Sequence, residues 1–203
     1  MSDSPVIEAR AARPGFDRPV LGPLTLAVPG GARWALTGPN GSGKSLLLKC
    51  LTGQARVHGG RLTTAPGTRI SLLAQDHPRP YPWPLSGHDW FRAMGTRVPE
   101  HPRIRALLRR RLDQLSGGQW QLLRLASVLA PVEAADRDTG RPHLVLLDEP
   151  ANHLDAEVRA DAVELITALP ASATLVMTSH DDELLGTLGV ERHPLQDYLD
   201  AHD

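Results

Sequence analysis

Eight residues constrain this chain more than any others: Gly38-Pro39-Asn40-Gly41-Ser42-Gly43-Lys44-Ser45. They fit the pattern G-x-x-x-x-G-K-[ST]. The apolar run Trp34-Ala35-Leu36, read as a strand over Arg33 to Thr37, leads into them, and a helix start over Ser45 to Leu51 comes after. That strand–loop–helix context is what the pattern requires of a phosphate-binding loop. Its glycines let backbone N–H groups turn inward, and the helix N-terminus adds a partial positive charge. Lys44 is placed to reach β- and γ-phosphates, and the Ser45 hydroxyl to ligate Mg²⁺.

A second run supplies the acids. Leu144-Val145-Leu146-Leu147 reads as a continuous buried strand, and it ends in Asp148-Glu149. The carboxyl end of such a strand lies at the ligand crevice of a parallel sheet. Asp148 suits the Mg²⁺ shell, and Glu149 is placed to polarise an attacking water as general base. Taken alone, an acidic pair after a strand more often caps the next helix; the phosphate loop shifts that balance.

The remaining elements emerge from pattern and punctuation. Strands are expected at Leu24 to Val28, Arg69 to Ala74 and Thr174 to Met177. Helices are expected near Ser86 to Met94, Pro102 to Leu112, Gln119 to Ala130, Ala156 to Leu169 and Asp181 to Leu188. The run Pro78 to Pro84 is too rich in proline for a helix or central strand. Pro131 to Pro142 reads as a charged loop. Strand–helix alternation at both ends predicts a mainly parallel sheet, with a helical middle forming a lobe of its own.

Leu115-Ser116-Gly117-Gly118-Gln119, just ahead of a helix, narrows the family. Physically it is a second anion site: the Ser116 hydroxyl, the amides of Gly117 and Gly118, and a helix N-terminus. In isolation it would be a helix N-cap with a flexible glycine pair. With the phosphate loop and the Asp-Glu strand, the chain resembles the ATP-binding-cassette ATPases over about Leu21 to Glu183. The resemblance implies an α/β fold: a P-loop core of mainly parallel sheet flanked by helices, a short antiparallel N-terminal β region and a small helical lobe. It implies one domain over 1–203, with a core at about 1–75 and 131–203 and a lobe at about 76–130.

The resemblance also implies roles. Gln75 matches the glutamine that touches Mg²⁺ and links to the lobe. Asn152-His153-Leu154-Asp155 matches the loop that crosses the dimer interface, and His180 the switch histidine at the γ-phosphate. Phe16 is the candidate for stacking on adenine. ATP bound with Mg²⁺ would then lie between the phosphate loop of one chain and Ser116 to Gln119 of another, because one chain's two sites lie too far apart in that fold. The pairing would be a homodimer or one with a second cassette subunit. The lobe is short for a transporter subunit, and the segment after His180 is expected to lack closing strands.

Two functions compete. One is the motor of a membrane transporter, docked on a separate transmembrane permease at the cytoplasmic face. Gln119-Trp120-Gln121 is similar to small importer ATPases of the vitamin B12 type, and Tyr81 to Trp90 lies where the family docks its partner. The other is a soluble ATP-gated clamp in translation or nucleic-acid processing. The run Arg103, Arg105, Arg109, Arg110, Arg111 and the similarity of Ala151 to Asp155 to translation-associated cassettes support it. The net charge of −1 argues against nucleic acid as a general partner. No stretch reaches the roughly 20 apolar residues of a membrane span, so direct insertion is not expected. A single cysteine, Cys50, leaves no intrachain disulfide and fits a reducing compartment.

Overall fold

A computed structural model describes residues 5–75, 84–135, 141–152 and 154–200, with no side-chain detail for 132–135. In chain order the strands and helices are β1 (Ile7–Ala12), β2 (Pro14–Gly15), β3 (Leu24–Val28), β4 (Arg33–Thr37), α1 (Lys44–Leu51), β5 (Arg56–Val57), β6 (Arg61–Thr64), β7 (Arg69–Leu73), α2 (Gly87–Ala93), α3 (Pro102–Leu107), α4 (Gly117–Ala135), β8 (His143–Asp148), α5 (Ala156–Thr167), β9 (Thr174–Thr178), α6 (Asp182–Leu188) and β10 (Glu191–Pro194). Five strands form an all-parallel sheet in the order β10-β4-β9-β8-β7. A separate antiparallel sheet runs β3-β1-β6, and β2 pairs with β5.

The parallel sheet divides two apolar cores. Along β8, Leu144 and Leu146 join the core shared with α1 and the antiparallel sheet, while Val145 and Leu147 join the helical one. This is the two-residue period of a strand covered on both faces, which is why its sequence reads as uninterrupted leucine and valine. The helical middle does not keep a core to itself. Trp90, Phe91, Ile104, Leu107 and Leu112 belong to the same cluster as Leu165, Ile166 and Met177 of the sheet side. Trp90 donates its indole N–H to the Ser127 hydroxyl at 3.0 Å and meets Trp120 edge-on, centroids 4.8 Å apart. A capping box between Ser86 and Asp89 starts α2.

Two expectations fail. The helix expected to stop at Ala130 runs through Pro131 to Ala135, so no loop begins at Pro131. A proline in a helix interior costs about 3 kcal/mol. Full burial of Leu122, Leu123, Leu125 and Leu129 on the same helix offsets that loss. The segment after His180 does supply a closing strand: β10 pairs parallel with β4, from Glu191 opposite Trp34 to Pro194 opposite Thr37. Its Glu-Arg-His-Pro sequence is that of a charged sheet edge and carries no apolar pattern to announce it. The Pro-rich run before Pro84 lies outside the described residues.

Candidate functional site

Four parallel strands bring their carboxyl ends to one edge of the sheet. β4 ends at Gly38 and the phosphate loop, β8 at Asp148, β9 at Thr178 and β7 just before Gln75. The pairing of Leu36 and Asp148 with Thr178, and of Leu73 with Leu147, places these ends level. Such an edge is where open α/β sheets hold ligands.

The phosphate loop curls tightly before α1. Gly43 takes φ of 95° as the residue that starts the helix, and a Cβ there would strike the Leu21 side chain at 2.4 Å. No side chain caps α1, so its first N–H groups face the curl. The Lys44 ammonium is buried inside it, donating to the carbonyls of Gly38 at 2.8 Å and Pro39 at 2.9 Å. Ser45 donates its hydroxyl to Asp148 Oδ1 at 2.8 Å, across 103 residues of sequence. Asp148 is 2% exposed. These hard oxygen donors suit Mg²⁺, which completes its shell with phosphate oxygens and water. Among the described residues no cluster of three or more His, Cys, Asp or Glu could hold a metal by itself.

Glu149 comes next in a left-handed backbone, φ 50°, rare for a residue with a side chain. Its carboxylate lies 3.1 Å from His180 Nδ1, and His180 is largely exposed beside it. The acid and the histidine singled out from sequence therefore meet. Ser179 and Asp181 fix the histidine's loop: the Ser179 hydroxyl accepts the Asp181 N–H, and Asp181 caps α6. Arg159 of α5 pairs with Asp181 at 2.5 Å and, by that hydrogen bond first, holds its carboxyl below the usual carboxylate range.

The stretch expected to form a second anion site is shaped by its own residues. Ser116 Oγ accepts the Gln119 N–H at 3.1 Å, and Gln119 Oε1 accepts the Ser116 N–H at 3.1 Å. This is a reciprocal capping box at the start of α4. Gly117 has open space where a Cβ would stand, while Gly118 packs toward Leu154 and Val158. Asp155, expected at a dimer interface, caps α5 by accepting the Val158 N–H at 2.9 Å. His153 of the same stretch lies outside the described residues. Gln75 is exposed at the edge of the sheet. Phe16 is half-exposed, its ring centroid 6.0 Å from the Lys49 ammonium on α1.

Three residues not among the expected site residues also belong here. Thr178 is fully buried between Asp148 and Glu149, bonded to both. Arg110 donates to Gln119 Oε1 at 3.0 Å and to the Gln114 carbonyl at 2.9 Å, bracing the signature loop. Arg124, buried in α4, donates to the Ala74 carbonyl at 2.6 Å and so ties that helix to the residue before Gln75. An arginine inside Leu122-Leu123-Arg124-Leu125 was the available signal, since arginine is almost never buried without a partner. The basic run, by contrast, is mostly consumed within the chain. Arg103 pairs with Glu157 and Asp161, Arg105 with Glu100 and Arg111 with Asp113. Cys50 is half-buried, gives its thiol to the Arg56 carbonyl and is pushed up in pKa by burial, which marks an inert thiol.

A phosphate loop on β4, acids at the end of β8 and an imidazole beyond β9 define a P-loop nucleoside-triphosphate hydrolase. Residues 21–152 match the family model described as ABC transporter, and the chain belongs to that family of ATPases. Over 190 residues it is 34% identical to the zinc import ATP-binding protein ZnuC of Ruegeria pomeroyi, covering 88% of this chain and 70% of that protein. Over 179 residues it is 34% identical to the vitamin B12 import ATP-binding protein BtuD of Escherichia coli, covering 79% and 71%. Among solved structures, a Pyrococcus furiosus protein described as an ABC transporter ATP-binding protein shares the fold, with a TM-score of 0.72 at 23% identity over 96% of this chain and 99% of that one.

Proposed function

We propose that this chain is the ATP-hydrolysing subunit of an importer, acting in pairs that enclose ATP and moving a separate transmembrane permease. The carrying observation is that Ser45 meets Asp148 and Glu149 meets His180 at one edge of the sheet, while Ser116 and Gln119 cap a separate helix start on α4. Lys44 and the α1 N-terminus bind the β- and γ-phosphates, and Phe16 stacks on adenine. Ser45 and Asp148, with Gln75, would hold Mg²⁺, which would neutralise phosphate charge. Glu149 takes the proton of the attacking water, and His180, hydrogen-bonded to it, faces the γ-phosphate. Ser116, Gly117, Gly118 and Gln119 of a second copy close over the same phosphate, with Asp155 near the crossing.

Direction rests on the relatives, whose names state zinc and vitamin B12 import. The paired arginines weigh against a nucleic-acid clamp, because such a surface needs free cations. Among the described residues no helix is long and apolar enough to cross a membrane. The peripheral place on the cytoplasmic face belongs to the proposed pairing with a permease.

The test is Glu149→Gln. With Mg²⁺ and ATP this variant should run as a dimer by light scattering, while hydrolysis falls on the order of 10²–10⁴-fold. A monomer under those conditions, or wild-type turnover, overturns the reading. Fractionated cells should hold the protein in the membrane pellet, released by alkaline wash; recovery wholly in the supernatant speaks against a permease.

A further inference from the structure

β9 is a central strand of Thr174-Leu175-Val176-Met177-Thr178, buried throughout. At its end an aliphatic side chain would fill the space, yet the position carries a hydroxyl with no access to solvent. A buried hydroxyl needs partners, and this one finds both in the site. Thr178 donates to Asp148 Oδ1 at 2.6 Å and accepts the Glu149 N–H at 3.0 Å. Asp148 Oδ1 thus receives two hydroxyls, from Thr178 and Ser45.

The second bond falls on a strained residue. The left-handed backbone at Glu149, φ 50°, persists only where surroundings impose it. Its N–H is shared between the Thr178 hydroxyl and the Thr178 carbonyl, at 3.0 and 3.2 Å. That turn sends the Glu149 carboxylate to His180. One side chain on β9 therefore sets the orientation of the acid at the end of β8 and the bend of the residue after it.

We propose that Thr178 is a positioning residue for ATP hydrolysis, aligning Asp148 for the metal and Glu149 for the water through its single hydroxyl. This rests on the roles assigned above to those two acids. Groups bonded to metal-binding side chains are typically worth 10–100-fold in metal affinity or activity.

Thr178→Val keeps the shape and removes the hydroxyl, and Thr178→Ser keeps the hydroxyl. In Thr178→Val, kcat should fall about 10–100-fold, and the gain in ATP affinity that Mg²⁺ brings, measured by calorimetry, should shrink by about tenfold. ATP affinity without Mg²⁺ should stay unchanged, since the phosphate loop is intact. Thr178→Ser should restore both quantities. Should the Val chain not fold, Thr178→Ala is judged by the same criteria. A wild-type Mg²⁺ response in Thr178→Val, or failure of Ser to restore it, overturns the proposal even where the melting temperature drops. Failure of the underlying reading looks different: Glu149→Gln would then hydrolyse ATP normally, whatever Thr178 does.

Discussion

Two helix starts at the candidate site, those of α1 and α4, carry glycine and a hydroxyl, and they are completed differently. α1 begins on Gly43 with no side-chain cap, and its neighbour Lys44 closes the curl with an ammonium. α4 begins on Ser116, and Ser116 with Gln119 satisfy each other's backbone N–H groups. The first start has no side-chain cap, as the proposed phosphate site requires. The second is already shaped and offers the N–H groups of Gly117 and Gly118 on a preset frame. A loop finished by its ligand should fail in binding when damaged. A loop finished by itself should still bind and fail in turnover.

The largest expected effect is at the first start. Lys44→Ala removes both the charge and the clamp on Gly38 and Pro39, so calorimetry with Mg²⁺ should find no ATP binding. Unchanged affinity would end the assignment of this loop. The next test joins the two starts across chains. Lys44→Ala and Ser116→Arg are each expected to be inactive, and mixing them should restore hydrolysis. A mixed dimer holds one site with both lesions and one with none, so random pairing leaves about a quarter of sites intact. No recovery would mean that two intact sites must act together, or that sharing across chains is wrong. A structure with ATP bound to Lys44 and Ser116 of one chain would decide for the latter.

A smaller effect belongs to the second start alone. Ser116→Ala deletes the cap, at a cost of about 1 kcal/mol, or about 2–4 °C in melting temperature. Its ATP affinity as a single chain should match wild type while turnover drops. An affinity loss like that of Lys44→Ala would erase the distinction between the two loops. The smallest effect is a control remote from both. His143 begins β8, at the far end of the strand from Asp148, and bonds Ser71 at 2.9 Å. Burial, with the Arg69 charge added, pushes its imidazole below the ordinary range. The folded chain therefore resists the proton that the unfolded chain accepts near about pH 6.5. Stability from this group is complete above that pH and declines as pH falls toward the lower folded value. His143→Gln should flatten that decline in melts run from about pH 8 to 5.5; an unaltered slope would remove His143 as its source.

The site was legible in sequence where chemistry is local. The phosphate loop, the Asp148-Glu149 pair and Leu115 to Gln119 each lie within a few residues, with glycines and strand patterns to mark them. Thr178 and Arg124 were not, because their meaning lies in partners 30 and 50 residues away. The fold shows the same division. The strand at 24–28 announces itself by alternation, and those at 33–37 and 143–148 by apolar runs. β10 does not, since an edge strand of Glu, Arg, His and Pro looks like a loop. At Pro131 a local rule was overruled by the burial of a whole helix.

The placement of β4 has a consequence for how the chain is made. Its two neighbours are β9 and β10, both encoded about 140 residues or more downstream. At about 5–20 residues per second, a ribosome exposes the phosphate-loop strand for roughly seven seconds or longer before either neighbour exists. During that interval it has two open edges, the condition in which nascent strands invite chaperones or aggregate. A product broken off before Thr174 would carry every residue of the phosphate loop and no strand to hold it. On this topology the phosphate-loop strand gains its sheet neighbours only once β9 and β10 have been made.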